Sequence, residues 1–521
     1  MSAQGAPTAD SFAADAMAAL NARNAARAHK LAEAALQLEP EHARALMVQA
    51  IIARDAGRPA DALPLIERAH ASAPDDAEVM YHLAVTLHQS PARGPGARSR
   101  PRELYERAAA LAPKSPLPRA MLAKLHEEMN DLPEARQAAD EALALDPNNP
   151  TARLVSALVD RREGRLAEAR EKFMAIIYGD SGRLLEHFPP AARAMIWNRH
   201  AHTLDALGEH DAAFAAFEYA QTLRWSLPDA KRVDASWVFG AADRALDAMN
   251  RDRLARWTRW EPGDGRPDPV FLVGFPRSGT TLTEQILAAH PGVVTLDEDS
   301  PLADVGGVLG PLMPDGPTGD ALDNAATKNL LRAREAYFAG VSARLGDAAH
   351  GKLLIDKLPL AILELPMICR LFPSARIIVA IRDPRDVCLS AVMRLMVPNP
   401  AMANLTTLPK AAAFYEKVMD FWLTVRPNVR HAWIESRYED LVSDPEPAVR
   451  RLVEFLGLPW DDAVLRHQDH VRGKAISTPS YEAVGSRITT RSVARWQQHR
   501  ERIKPVLPTL APFLHALGYV E

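Results

Sequence analysis

A 34-residue repeat of apolar and small residues dominates the first part of this chain. Four prolines follow apolar helical segments at spacings of 34, 39 and 34 residues: Pro40, Pro74, Pro113 and Pro147. An alanine lies five residues before each of them: Ala35, Ala69, Ala108 and Ala142. Alanine lets two helices approach closely, and proline cannot continue a helix. The pattern therefore predicts an array of helix hairpins over residues 12–225.

A second set of positions recurs along the same part of the chain, 34 residues apart between Asn130 and Gly164. Residues that favour a left-handed turn recur at Gly57, Asn130, Gly164 and Gly208. Each is followed five residues later by an alanine: Ala62, Ala135, Ala169 and Ala213. This spacing resembles that of tetratricopeptide repeats, and the resemblance implies binding of a protein or peptide on a concave face, or dimerisation. An alanine-rich bundle without true repeats is the alternative.

The hydrophobic pattern changes after residue 225. Residues 226–260 are expected to form helices that cap the array, and residues 261–269, EPGDGRPDP, a linker. From residue 270 to 521, short apolar runs near residues 270, 293, 353, 376 and 431 alternate with helical segments. This alternation predicts an α/β domain with a mostly parallel sheet and helices on both faces. A ligand would lie at the carboxyl ends of its strands.

Two segments have the strand–loop–helix pattern that binds phosphate groups. The first is VFLVGFPRSGTTLTEQILAAH, residues 270–290, with glycines at Gly274 and Gly279. Thr280 stands where an ATP-binding P-loop has lysine, so the loop fits a single phosphate group with Arg277 as its cation. The second is ARIIVAIRDPRDVCLSAVMR, residues 375–394. Its Arg385 and Asp386 are expected to form a local ion pair.

The ordered pair of segments resembles sulfotransferases, which use 3′-phosphoadenosine 5′-phosphosulfate (PAPS). The similarity extends from residue 270 to about residue 495. It is greatest to tyrosylprotein sulfotransferases and to bacterial relatives fused to helical repeats. The resemblance implies that one set of residues binds the 5′-phosphosulfate: Arg277, Ser278, Gly279, Thr280 and Thr281. It implies that another binds the 3′-phosphate: Arg382, Ser390 and Arg394, the last two on one helix face.

The resemblance also implies catalytic roles. The family's base is a glutamate 21 residues after the loop arginine, which is Glu298 here; Asp297 and Asp299 are its neighbours. His290 is a rival base by residue type, but its position at a helix end favours a capping role. Lys357 matches the lysine that stabilises the leaving group, and Ser480 the serine that assists it. Arg277 would contribute at the bridging oxygen.

The remaining nucleotide contacts are implied by the C-terminal segments. Tyr438 matches a family tyrosine beside the nucleotide; packing of an aromatic ring at a strand end is the alternative. Tyr481 and Arg495 belong to a segment that resembles the family's nucleotide-covering loop. No metal is expected, because the transferred sulfuryl group carries less charge than a phosphoryl group.

Length and composition limit the number of domains, the kinds of partner and the cellular location that we expect. A chain of 521 residues is too long for one core, so two or three domains are expected. A net charge of −4 gives no reason to expect nucleic acid as a partner. The sequence has two cysteines, no secretory signal pattern and no run of about 18 apolar residues. It therefore predicts a cytoplasmic protein without a membrane span.

The sequence thus predicts a PAPS-dependent sulfotransferase that acts on a hydroxyl group, by resemblance that of a protein tyrosine. Three alternatives remain open. The acceptor could be a small molecule or a glycan, with the repeats used for assembly. The domain could be a P-loop kinase, although the missing lysine and the second phosphate segment oppose this. The chain could be a non-enzymatic repeat scaffold.

Overall fold

The computed structural model describes residues 7–90, 98–179, 183–313, 316–467 and 489–519. The chain forms two compact units, Met1–Glu209 and His210–Glu521. The first is helical, and the second contains a five-stranded sheet. This is the predicted fold class: an α-solenoid of helix hairpins followed by an α/β domain, and it is confirmed.

Antiparallel helix pairs build the first unit. Its described helices are α1 Ala9–Asn21, α2 Ala25–Leu38, α3 Ala43–Asp55, α4 Pro59–Ser72, α5 Ala77–Gln89, α6 Ser99–Leu111, α7 Pro116–Met129, α8 Leu132–Leu145, α9 Pro150–Arg162, α10 Leu166–Tyr178, α11 Arg183–Glu186 and α12 Pro190–Ala206. The helices α2, α4, α6 and α8 each end two residues before a repeat proline. The proline therefore falls just after the second helix of each hairpin, as the pattern predicts.

The small repeat residues occupy the helix contacts. The alanines of both repeat positions are fully buried: Ala35, Ala62, Ala69, Ala108, Ala135, Ala142, Ala169 and Ala213. The turn residues all have positive φ: Gly57 77°, Asn130 68°, Gly164 82° and Gly208 82°. A left-handed residue is what ends one helix and lets the next fold back against it. Both sets of positions therefore do what their residue types predict.

The second unit is organised around five parallel strands. They are β1 Val270–Gly274, β2 Val293–Asp297, β3 Leu353–Lys357, β4 Arg376–Ile381 and β5 Trp433–Arg437, in the order β2-β3-β1-β4-β5. Each begins close to its predicted position. The connections pass to β2 and β3 on one side of β1 and then to β4 and β5 on the other. Such a change of direction opens a crevice at the carboxyl ends of the strands.

Helices surround this sheet. They are α13 His210–Trp225, α14 Pro228–Lys231, α15 Trp237–Ala248, α16 Arg251–Trp257, α17 Thr280–Ala288, α18 Leu302–Leu309, α19 Gly319–Asn324, α20 Thr327–Leu345, α21 Leu365–Leu371, α22 Pro384–Val392, α23 Leu408–Val425, α24 Tyr438–Ser443, α25 Pro445–Phe455, α26 Arg500–Ile503 and α27 Leu507–Ala516. Both cysteines are buried free thiols in α21 and α22. Over the described ranges, we find no helix whose length and apolar character would let it cross a membrane.

The helices before β1 pack inside the second unit. Helix α13 belongs to it, although the sequence pattern placed residues 210–225 in the array. Arg253 on α16 donates hydrogen bonds to Asp320 (2.6 Å) and Asp323 (2.8 Å). The indole of Trp257 also donates to Asp323, at 2.8 Å. These bonds attach α16 to α19, so residues 226–260 are part of the unit that contains the sheet.

The segment over residues 261–269 is held in the same way. The guanidinium of Arg334, on α20, is buried and donates to Asp264 (2.9 Å) and to Asp268 (2.7 Å). A third bond runs from Arg334 to the Leu371 carbonyl oxygen at 2.7 Å. A buried guanidinium needs this set of partners to offset its desolvation. The segment predicted as a linker is therefore fixed against the α/β domain at both of its aspartates.

Trp257 provides a test of this packing. Its side chain is 2% exposed, whereas that of Trp237 on α15 is 55% exposed. We expect Trp257→Ala to destabilise the protein by about 3–5 kcal/mol, because it empties a buried site and leaves Asp323 without one donor. The control, Trp237→Ala, should change stability by less than about 0.5 kcal/mol. Urea denaturation measures both, and equal effects would contradict the packing described here.

Candidate functional site

The loop between β1 and α17 is bounded by two glycines, Gly274 and Gly279, at positions where a side chain would clash. A Cβ on Gly274 would lie 2.6 Å from the carbonyl oxygen of Ala380, so this glycine lets β1 and β4 approach. Gly279 has φ +96°, and a Cβ there would lie 2.7 Å from Tyr438 Cδ2. Arg277 also adopts positive φ, at 75°. The loop leads into the first turn of α17, whose N–H groups have no partners within the helix and form an anion-binding end.

Three guanidinium groups meet beside this loop. Arg277 Nε donates to Ser390 Oγ at 3.2 Å, and Arg382 donates to the Arg277 carbonyl oxygen at 3.3 Å. Burial, followed by the positive charges of Arg394 and Arg382, lowers the pKa of Arg277 to about 9; Glu298 and Tyr438 oppose this shift. Like charges so close together in a buried place favour an anion between them.

Arg382 directly follows β4 and lies beside the loop. Its guanidinium lies 4.5 Å from the centre of the Tyr438 ring and donates to the Ser492 carbonyl oxygen at 2.5 Å. Its Nε is buried and has no hydrogen-bond partner within the described part of the chain. Asp386 lies 3.9 Å away, and burial raises the pKa of this carboxyl to about 6. Arg382 thus has an unused donor in a cationic crevice.

The expected ion pair between Arg385 and Asp386 does not form. Arg385 instead pairs with Asp383 at 2.8 Å and lies 3.9 Å from the Trp496 ring. Asp386 accepts a hydrogen bond from the Trp496 backbone N–H at 2.8 Å. Adjacent residues on a helix point in different directions, so each finds a partner of its own. Together these contacts attach the segment around Trp496 to α22.

Carboxylates surround the Lys357 ammonium at the ends of β2 and β3. Lys357 is fully buried, and parallel pairing places it opposite Asp297. Its Nζ contacts Asp297, donates to Glu298 Oε1 at 3.0 Å and lies 3.7 Å from Glu284 Oε2. Burial by itself would lower the pKa of Lys357. The charges of Glu284, Glu298 and Asp297 outweigh that effect and raise it.

The acidic residues after β2 differ in their surroundings. Glu298 has φ +58°, and its backbone N–H donates to the Lys357 carbonyl oxygen at 2.9 Å. Its side chain is 40% exposed, against 22% for Asp297. Asp299 is paired with Arg344 at 3.0 Å. Of the two acids that contact Lys357, Glu298 is therefore the more exposed.

His290 has both ring nitrogens in local contacts. Its Nδ1 accepts the Gly292 backbone N–H at 3.0 Å, and its Nε2 lies 2.9 Å from the Pro459 carbonyl oxygen. These contacts fix the turn into β2 and attach it to the segment around Pro459. The C-cap of α17 is Ala289, so the capping role of His290 stays a prediction, and the occupied ring nitrogens oppose its use as a base.

Comparison with known proteins agrees with this geometry. The Sulfotransferase family profile matches residues 269–462, and the Tetratricopeptide repeat profile matches residues 14–77, 48–116 and 120–183. A Caenorhabditis briggsae relative named "Putative protein-tyrosine sulfotransferase" is 30% identical over 261 residues, 48% of this chain and 88% of that protein. The chain belongs to the sulfotransferase family.

Two further relatives show the range of the similarity. Protein-tyrosine sulfotransferase 1 of Danio rerio is 27% identical over 259 residues, 48% of this chain and 72% of that protein. An uncharacterized protein of Aquifex aeolicus is 29% identical over 258 residues, which is 48% of this chain and 33% of that protein. The match thus spans about a third of the length of this bacterial relative.

The sulfotransferase fold brings most of the predicted phosphate ligands together. Ser278, Thr280 and Thr281 are buried at the start of α17, and Ser390 reaches the same loop from α22. The prediction that Ser390 and Arg394 share a helix face is wrong. Helix α22 ends at Val392 with Met393 as its C-cap, so Arg394 follows the helix. Its guanidinium is nevertheless close enough to influence Arg277.

The remaining predicted residues fall into two groups. Tyr438 begins α24 and stacks on Arg382, and Arg495 opens the short 3-10 helix Arg495–His499 that contacts α22. Ser480 and Tyr481 lie outside the described residues. The structure therefore gives positions for the first pair only.

Two side chains of this site escaped the sequence analysis. Glu284 is buried within α17, and the signal was a charged residue inside an otherwise buried helix. Gln221, on α13, donates to the carbonyl oxygens of Val392 (2.8 Å) and Arg394 (3.0 Å). It thereby fixes the end of α22 from a position more than 170 residues earlier in the chain. No local pattern reveals a contact over that distance.

Proposed function

We propose that this protein transfers a sulfuryl group from PAPS to the hydroxyl group of a protein tyrosine. The observation that carries the proposal is the order of charges along the sheet. Two cationic strand-to-helix segments adjoin on β1 and β4, and Lys357 and Glu298 follow on β3 and β2. Relatives named protein-tyrosine sulfotransferase favour tyrosine as the acceptor.

The residues present fit the charge pattern of PAPS. Arg277 and the backbone of residues 278–281 would hold the 5′-phosphosulfate, and Arg382, Ser390 and Arg394 the 3′-phosphate. The buried Arg382 Nε, without a partner in the described chain, supports the second site. The aromatic and basic residues implied around the nucleotide are Tyr438, Tyr481 and Arg495. When bound, PAPS supplies the sulfuryl group; no metal ion is part of this proposal.

The protein's own groups would supply the proton transfer and the charge stabilisation. Glu298 would accept the proton of the acceptor hydroxyl, because it is the exposed carboxylate beside Lys357. Lys357 would stabilise the negative charge that develops on the leaving oxygen, with Ser480 assisting. Arg277 would act at the bridging oxygen. The fixed contacts of Asp299 with Arg344 oppose its use as the base.

The nucleotide assignment predicts a dependence on the 3′-phosphate. Adenosine 3′,5′-bisphosphate should raise the melting temperature far more than adenosine 5′-phosphate or ATP, measured by differential scanning fluorimetry. The affinity difference from adenosine 5′-phosphate should be at least about tenfold, because a hydrogen bond to a charged group contributes about 1.5–3 kcal/mol. Arg382→Ala should remove most of this preference.

The matched control is Arg376→Ala at the opposite end of the same strand, β4. Arg376 donates to the Leu456 carbonyl oxygen at 2.7 Å and is not part of the proposed site. This variant should keep the preference for adenosine 3′,5′-bisphosphate. Equal affinity of the unaltered protein for the nucleotides with and without a 3′-phosphate would refute the assignment.

The proposed base has a second test. Glu298→Gln keeps the shape of the side chain and removes its ability to accept a proton. It should reduce kcat by about 10²–10⁴-fold, with little change in the affinity for adenosine 3′,5′-bisphosphate. Asp299→Asn should keep kcat within a few-fold. If Asp299→Asn, or Asp297→Asn, abolished turnover while Glu298→Gln did not, the base would be another residue.

The repeat array would bind a protein or peptide acceptor. Tetratricopeptide repeats commonly present a binding surface for polypeptides, and dimerisation is their alternative role here. A protein beginning at His210 keeps the second compact unit entire. It should bind adenosine 3′,5′-bisphosphate normally and show at least about a tenfold higher KM for the natural acceptor, because the remote contacts are lost.

The acceptor itself is identified by incubating labelled PAPS with a cell lysate and this protein. Label on polypeptide tyrosines would support the proposal. Label confined to small molecules or glycans would contradict a protein acceptor. If the shortened protein also had an unchanged KM for the labelled acceptor, the array would serve assembly alone. A short tyrosine peptide serves as the control for catalytic competence of the shortened protein.

A further inference from the structure

Glu284 is a buried carboxyl group directly beside the proposed leaving-group lysine. It is 1% exposed, and its Oε1 accepts a hydrogen bond from Thr295 Oγ1 at 2.8 Å. Its Oε2 lies 3.7 Å from Lys357 Nζ and has no hydrogen-bond partner in the ranges that the structure describes. One oxygen is thus satisfied, whereas the other points toward the ammonium without a bond.

The charges around Lys357 do not balance if every acid is ionised. One ammonium faces the carboxylates of Asp297, Glu298 and Glu284 within 3.7 Å. Asp297 and Glu298 make direct contacts with Lys357 and are partly exposed. Glu284 is the most buried of the three and the farthest from the cation. A surplus negative charge in a buried site is costly, so Glu284 is the acid that accepts a proton most readily when further negative charge approaches.

We propose that Glu284 is a positioning residue that takes up a proton when the nucleotide binds and thereby keeps the charge of Lys357 available to the leaving oxygen. The proposal rests on the function proposed above, which brings the anionic phosphate close to Lys357. That negative charge opposes the ionised form of Glu284. With Glu284 neutral, the ammonium faces two carboxylates in place of three.

The direction of the effect follows from the groups that face Glu284. Burial raises its pKa to about 7; Lys357 on β3 lowers it, Asp297 on β2 raises it, and the Thr295 hydroxyl and Gln285 lower it. Strand β1 has no charged residue. Asp462 and Arg466, on a 3-10 helix that packs against α17, are exposed to solvent. An approaching anion raises this pKa further, so Glu284 takes up a proton near neutral pH.

Isothermal titration calorimetry tests this directly. Adenosine 3′,5′-bisphosphate is titrated at pH 7.5 in buffers of different ionisation enthalpy, which gives the number of protons taken up. The unaltered protein should take up several tenths of a proton more than Glu284→Gln, because the raised pKa of Glu284 lies near neutrality and the bound anion raises it further. At pH 5.5 the two should agree. Protons from other groups, such as Asp386 or the nucleotide itself, cancel in the difference.

Two further variants sharpen the result. Thr295→Val removes the hydrogen bond that favours the ionised Glu284. The number of protons that this variant takes up in excess of Glu284→Gln should therefore be smaller than for the unaltered protein at pH 7.5 and larger at pH 8.5. Glu446→Gln, an exposed carboxyl paired with Arg450 on α25, should behave as the unaltered protein. Equal uptake in Glu284→Gln and in the unaltered protein at pH 7.5 would overturn the role of Glu284 alone. Absence of nucleotide binding to the unaltered protein would overturn the proposed function and this inference with it.

Discussion

The buried ammonium of Lys357 is the charge on which the site depends. A lysine without solvent requires anionic partners, and the parallel register of β2 and β3 supplies Asp297 directly opposite it. The left-handed turn at Glu298 brings a second carboxylate to the same atom. Glu284, on helix α17, adds a third carboxyl group 3.7 Å from the Lys357 Nζ. The ends of β2 and β3 and the helix that follows the loop are therefore joined through one cation.

The strand order separates the charges of this site. Carboxylates follow β2, the lysine ends β3, the anion-binding loop follows β1, and Arg382 closes β4 beside Tyr438, which follows β5. Because every strand is parallel, all these groups lie along one edge of the sheet. An anion is favoured at the β1–β4 side, and a proton acceptor is available at the β2–β3 side. This separation of charge is what the proposed transfer from an anionic donor to a hydroxyl group requires.

The helices before the sheet are attached to the rest of the unit that contains it by polar contacts. Gln221 on α13 holds the carbonyl oxygens at the end of α22, where Arg394 begins the next segment. Arg253 and Trp257 attach α16 to α19, and Arg334 fixes residues 261–269. The unit that carries the sheet thus begins at His210, well before the first strand. The Gln221 side chain thus fixes the backbone on which Arg394 lies, from a helix that precedes the first strand.

The sequence by itself determined the repeat array, the five strands and the two cationic loops, because each depends on local preferences: alanine at helix contacts, proline and glycine at helix ends, and a glycine-bounded turn after a buried strand. It also indicated Glu298 and Lys357 through their order in the chain. Only the tertiary structure decided the partners of Arg385, the position of Arg394 beyond its helix, and the contacts of Gln221 and Glu284. Those depend on which strands are neighbours and where each helix stops. Such long-range packing leaves no regular spacing in the sequence, since residues more than 100 positions apart share one hydrogen bond.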